Sequence, residues 1–134
     1  IIPQALDVLK EYVRRLVEGK VPAEDLLIAK RLSLHPSKYA HDVLQAIAAK
    51  QLVKEGVEIS AGQTVQYLIT NCESRSVFRR VKPAQLVNAN VHYDTRKYLD
   101  LLLSSAANVL SPFGYSVDNL YALIVHGEAQ TPLK

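Results

Sequence analysis

The sequence contains no tryptophan, no methionine and only one cysteine, Cys72. A lone thiol cannot close an internal disulfide, and without a spaced partner it does not read as a metal ligand, so Cys72 is expected to be inert in a reducing compartment. No uncharged apolar run reaches the roughly 18 residues that a membrane span requires. The opening IIPQALDVLKEY has no basic flank ahead of an apolar core, so neither a signal peptide nor a membrane partner is expected. Composition also excludes a collagen, a disordered tail and a disulfide scaffold. The missing methionine, at position 1 as elsewhere, reads as a piece of a longer chain or a processed one.

What is present fits one compact, intracellular domain: 134 residues, 49% of them apolar. The net charge of +3 and pI near 9.0 permit a nucleic-acid partner without demanding one, so the placement of charge matters more than its sum. Residues 1–60 carry nine basic and eight acidic groups, residues 71–100 six and three, and residues 101–134 one and two. The excess therefore sits in ESRSVFRRVK and YDTRKY. Between 71 and 82, Arg75, Arg79, Arg80 and Lys82 face only Glu73, a density that draws phosphate if exposed and otherwise forms a solvated loop.

Spacing predicts the elements. Leu6, Leu9, Tyr12, Val13, Leu16 and Val17 recur at intervals of three and four, an amphipathic helix with Pro3 in its first turn and Gly19 at its stop. Pro22 opens a short helical turn, and LLIAKRLS reads as a strand. After the break at HPSK, residues 39–55 predict a second helix, closed by Gly56. Gly62 turns the chain into a strand over QTVQYLITN, and SVFRRVK predicts a second strand at hairpin distance. Its alternation puts Arg79 and Arg80 on opposite faces, leaving one of them for a ligand. Pro83 ends that strand. Asp94 is placed to cap a third helix with the stripe Tyr98, Leu101, Leu102, Ala106, Val109 and Leu110. Leu101, Leu102 and Leu110 are expected to be buried with Leu9 and Leu16. Ser116 can cap a last short helix, and the tail from about residue 122 is expected to fray or dock elsewhere. The class is α+β: a helix-dominated single domain with a small antiparallel sheet.

Chemical signatures are sparse. There is no Gly-rich phosphate loop, no zinc spacing and no supported Cys–His or Ser–His pattern. His35, His41, His92 and His126 fall on different predicted elements and read as surface or capping residues. HYDTRKY has the outline of a polymerase metal motif, but Arg96 and Lys97 surround Asp94. Two divalent metals about 4 Å apart need close carboxylates, so Asp94 reads as a helix cap and no metal site is expected.

The order of segments resembles a known family. YAHDVLQAIAAKQLVKEGVEISAGQTVQYLIT, an Arg-rich turn, VKPAQL and HYDTRKYLDLLLSSAANVLSPFGY are together similar to the C-terminal thumb of family B DNA polymerases, especially archaeal ones. The likeness runs from about Leu6 to about Asn119. It is carried by Tyr39, Ala49-Lys50, Gly56, Gly62, Tyr67, Arg75 with Arg79 or Arg80, Pro83, Tyr93-Asp94 with Tyr98, and Phe113-Gly114-Tyr115. The chain departs from the family at Leu44-Gln45, where Pro-His is usual, and at Asn71, where a basic residue is usual. A third departure is Lys97-Tyr98-Leu99, in place of Tyr-Tyr-x-x-x-Gln.

The resemblance implies a domain that grips the primer–template duplex through phosphates and the minor groove during DNA replication or repair. It also implies palm and finger domains as partners, Mg2+ in the parent polymerase with no cofactor in this chain, and a nucleoid-associated location. A processive enzyme must slide over any sequence, so the grip uses cations, N–H groups and hydroxyls rather than base-specific contacts. The residues implied are Arg75, Arg79, Arg80 and Lys82, with Tyr93, Arg96 and Lys97 at the start of the third helix; Ser33, Lys38 and Tyr39 form a second group. No catalytic residue is implied in this stretch. A separate DNA-binding subunit of a split polymerase would carry the same patch.

Overall fold

In a computed structural model, which describes residues 1–126, the chain is α+β and helix-dominated with a small antiparallel sheet. It forms two compact units, one of residues 22–94 and one of residues 1–21 with the chain from Thr95 onward.

The 22–94 unit holds the sheet. Strands β1 (Ile28–Arg31), β2 (Thr64–Ile69) and β3 (Val81–Pro83) lie in the order β1-β2-β3, all antiparallel, with Ile28 opposite Tyr67 and Ile69 opposite Val81. Because β2 is central, Val65, Tyr67, Leu68 and Ile69 are all buried, and burial raises the pKa of the Tyr67 hydroxyl by penalising its charged form. Helix α2 (Leu44–Lys54) packs against β2 and β3, burying Ala46, Ile47, Ala48, Ala49 and Leu52. Its one buried polar side chain, Gln51, donates from Nε2 to the Val81 carbonyl at 2.8 Å, which pins helix to sheet without an unpaired group. At the far end of β1 the Leu32 carbonyl accepts the Gly62 N–H at 2.7 Å, and Gly62 takes φ +93°, a conformation that strains any side-chain-bearing residue.

The sequence places the start of α2 too early. Tyr39 is extended (φ −74°, ψ 126°), because its hydroxyl is held by Ser33 rather than by a helical neighbour, and the helix begins five residues later at Leu44. SVFRRVK is not a continuous strand either. Val77–Arg79 form a 3-10 turn and only Val81–Pro83 join the sheet.

In the other unit, α1 (Ile2–Val17) buries Leu9, Val13 and Leu16, while Arg14 on its outer face pairs with Glu11 and Glu18. Helix α3 (Thr95–Leu110) packs against α1 and against α4 (Val117–Leu120), which opens on a capping box between Ser116 and Asn119. Instead of fraying after residue 121, the chain continues as a turn of π-helix, Tyr121–His126, with Leu120 and Ile124 fully buried; residues 127–134 of the expected tail lie outside the described residues.

The buried stripe of α3 is Tyr98, Leu99, Leu103, Ala107 and Leu110, rotated from the expected one. Leu101 and Val109 are exposed and Leu102 is half-buried. The reason is that α3 has two apolar faces. Leu99, Leu103 and Ala107 enter the core, whereas Leu102, Ala106 and Val109 line an open groove of about 480 Å³ with Ala5, Val8 and Tyr12 of α1.

Candidate nucleic-acid interface

The eleven residues between β2 and β3 fold back on themselves through their own hydrogen bonds. The N–H groups of Thr70 and Asn71 donate to the Arg80 carbonyl at 3.0 and 3.2 Å, and the Thr70 hydroxyl donates to the Arg79 carbonyl at 2.6 Å. Further in, the Ser74 N–H donates to the Asn71 carbonyl, and the N–H groups of Arg79 and Arg80 donate to the carbonyls of Ser76 and Val77. The Cys72 N–H donates to the Asp94 carboxylate at 2.9 Å, and the Asp94 N–H donates to the Ile69 carbonyl at the same distance. The sequence supplies part of this bracing through the short side chains of Thr70 and Ser74, whose hydroxyls bond the Arg79 carbonyl and the Ser76 N–H, and a backbone already satisfied internally loses little freedom when a ligand arrives.

The two adjacent arginines diverge on this frame. Arg80 is half-buried, and its Nε donates to the Ser74 carbonyl at 2.8 Å. Arg79 is exposed, as is Arg75. Neither Arg75 nor Arg79 has a side-chain hydrogen bond or ion pair among the described residues. The expected divergence thus exists, although a 3-10 turn and the Ser74 contact cause it, not strand alternation. Lys82, opposite Leu68 in β3, is half-buried.

Two residues that the sequence analysis did not single out join the turn. Lys54, the last residue of α2, holds its Nζ 5.6 Å from the centroid of the Phe78 ring, and 42% of Phe78 remains exposed. At an exposed site a cation over an aromatic face contributes about 0.5–1 kcal/mol. The signal in the sequence was slight: a lysine at a helix end and an aromatic residue in a basic run.

The second group lies at the 3-10 turn Pro36–Lys38, which also packs against α2. Lys38 is exposed. Tyr39 packs against the cluster of Leu32, Ala49, Leu52, Ile59 and Val65. The Ser33 hydroxyl, followed by the N–H groups of Ser33 and Leu34, holds the Tyr39 hydroxyl below the ordinary tyrosine range, and the Ser33 N–H donates to it at 3.0 Å. That oxygen is already engaged locally. Tyr93 is half-buried and also has a partner.

Arg96 and Lys97 belong to the other unit, in the first turn of α3. Arg96 is exposed and lines an open depression with Thr95, Leu99, Asp100 and Tyr121. Lys97 is half-buried and partnered. The Tyr121 hydroxyl donates to the Asp100 carboxylate; burial first, and that carboxylate second, push its pKa up to about 12.

Among the described residues no group of three or more His, Cys, Asp or Glu converges to hold a metal ion, and the carboxylate of Asp94 is engaged by the turn. No helix among them is long and apolar enough to cross a membrane.

Comparison with known proteins returns one family. Residues 1–113 match the family described as DNA polymerase family B. A DNA polymerase of Thermococcus sp. (strain 9oN-7) is 26% identical over 121 residues, which are 89% of this chain and 16% of that protein. One from Methanocaldococcus jannaschii is 27% identical over 120 residues, covering 89% of this chain and 7% of the relative. DNA polymerase 3 of Saccharolobus shibatae is 27% identical over 119 residues, 89% of this chain and 16% of that one. Among solved structures, the family B DNA polymerase from the hyperthermophilic archaeon Pyrobaculum calidifontis superimposes with a TM-score of 0.64 at 25% identity, over 75% of this chain and 13% of that one. The chain therefore spans a small fraction of the length of each relative.

Proposed function

The chain belongs to DNA polymerase family B, and on that premise we propose that it is the thumb of such an enzyme, gripping the primer–template duplex by sequence-independent phosphate and minor-groove contacts during replication or repair. The observation that supports this most directly is the braced β2–β3 turn, which holds Arg75 and Arg79 exposed on a frame satisfied by its own hydrogen bonds. Exposed guanidiniums on a rigid frame suit phosphates, because each cation releases condensed counterions and little loop ordering opposes the gain. In the same unit, Lys82 and Lys38 are assigned phosphate contacts with Tyr93 and Tyr39 in supporting places; in the other unit, Arg96 is assigned a contact of its own with Lys97 supporting it. Arg80 is assigned to bracing.

Nucleotidyl transfer itself, with its Mg2+, is assigned to palm and finger domains of the parent enzyme, since the two-metal reaction needs closely placed carboxylates. This chain's share is to keep the primer end in place. Contacts to phosphate and sugar carry no sequence information, which is what a sliding enzyme needs.

Salt dependence tests the reading. Binding of the 134-residue chain to a mixed-sequence duplex should lie near 10⁻⁴ to 10⁻⁶ M, roughly the non-specific range, and should weaken with a log–log salt slope of about −0.9 per phosphate neutralised. The double substitution Arg75→Ala with Arg79→Ala should flatten that slope by about 1 to 2 and weaken binding to all sequences alike. An unchanged slope would make the turn a solvated face and remove the assignment.

A further inference from the structure

Phosphate capture accounts for the cations of the β2–β3 turn but not for the aromatic ring among them. Phe78 is one of only two phenylalanines in the chain, and it stands in the same 3-10 turn as Arg79, 42% exposed. Lys54 Nζ lies 5.6 Å from its centroid, so the end of α2 sets a cation over the ring. A single exposed apolar residue is ordinary on a protein surface. One held by a cation, inside the segment with the highest positive charge density and braced by the Arg80 and Thr70 hydrogen bonds, stands where a polyanion would seat.

We infer that Phe78 is a second, non-ionic contact to duplex DNA, packing against the deoxyribose and base edges that lie between the phosphates held by Arg75 and Arg79. The inference rests on the phosphate reading above and assigns the same interface a new residue and a new chemistry. Two features point to a nucleic acid rather than to another polyanion. Duplex DNA alternates charged phosphates with apolar sugar and base edges in its minor groove, and apolar side chains are the ordinary means of engaging them. Along the sequence the turn likewise alternates, with Arg75 before Phe78 and Arg79 directly after it. A cation held over the ring keeps positive charge beside the apolar contact. This contact releases no counterions. Its contribution is therefore independent of salt, unlike that of the arginines.

The experiment uses the 134-residue chain with Phe78→Ala and Phe78→Tyr, titrated against a short mixed-sequence duplex and against heparin over a range of salt concentrations. Circular dichroism confirms that each variant is folded. Phe78→Ala is expected to weaken duplex binding about tenfold with the salt slope unchanged, to leave heparin binding as it was, and to be rescued by Phe78→Tyr, which keeps the ring. Wild-type duplex affinity in Phe78→Ala, or equal losses toward duplex and heparin, would overturn the inference. The Arg75→Ala/Arg79→Ala variant is run alongside. A flattened slope there, with Phe78→Ala unaffected, overturns this contact alone, whereas an unflattened slope overturns the phosphate reading and this inference with it.

Discussion

Arg80 donates from Nε to the main-chain carbonyl of Ser74 at 2.8 Å, closing the turn that carries Arg75 and Arg79 in solvent. Two neighbouring residues of one type thereby have opposite duties. Of the pair, Arg79 has no side-chain partner among the described residues, whereas the Arg80 side chain helps to brace the turn.

The consequence separates binding from stability. Arg79→Ala should reduce the salt slope of duplex binding by about 1 and leave the melting temperature unchanged within error. Arg80→Ala should lower stability by roughly 1 kcal/mol, the net worth of a half-exposed hydrogen bond, and weaken DNA binding only through a loosened turn. Thermal melts and salt titrations of the two variants check this. Equal effects on both quantities would mean that the residues are not divided as described.

A second prediction concerns α3, where Leu101 and Leu103, two positions apart, differ sharply in burial. Leu103 is fully buried and Leu101 is 38% exposed. Leu103→Ala should cost about 2–5 kcal/mol by leaving a cavity among α1 and α3 side chains. Leu101→Ala should stay within about 0.5 kcal/mol, as surface changes do. Urea unfolding of the pair decides it, and a Leu101 variant as destabilised as the Leu103 one would contradict the packing.

These residues also show what the sequence reveals and what it withholds. The spacing of Leu9, Val13 and Leu16, the stops at Gly19 and Gly56, the turn at Gly62, the strand around Tyr67 and the cap at Ser116 are local signals, and the structure realises them as read. The misread positions depend on partners that local pattern does not contain. Tyr39 is drawn out of a helix by Ser33. Val77–Arg79 repeat like a strand, but backbone bonds to Ser76 and Val77 wind them into a 3-10 turn. In α3 both apolar faces satisfy helical spacing, so periodicity alone could not choose the one that enters the core. For the site, charge density marked residues 71–82 correctly as the basic segment. Neither the division of labour between Arg79 and Arg80 nor the meeting of Lys54 with Phe78 was legible, since both arise from chain closure.

The last prediction follows from Tyr121, whose hydroxyl donates to the Asp100 carboxylate. Burial is the larger cause and that carboxylate the second, and together they raise its pKa to about 12. An unfolded tyrosine titrates near about 10. As pH rises past that value, the unfolded chain releases the proton while the folded chain still retains it, so the unfolded state gains. The stability contributed by the retained proton is thus complete below about pH 10 and is lost progressively as pH rises toward 12. Tyr67, raised by burial, acts in the same direction, and Tyr39, lowered by its Ser33 contacts, acts in the opposite one. The comparison must therefore be made between wild type and Tyr121→Phe, which keeps the ring and removes the titrating proton. Denaturant unfolding at successive pH values should show wild type the more stable at neutral pH, with the gap narrowing between about pH 10 and 12. A gap that stays constant across that window would mean that Tyr121 does not hold its proton more tightly in the folded chain.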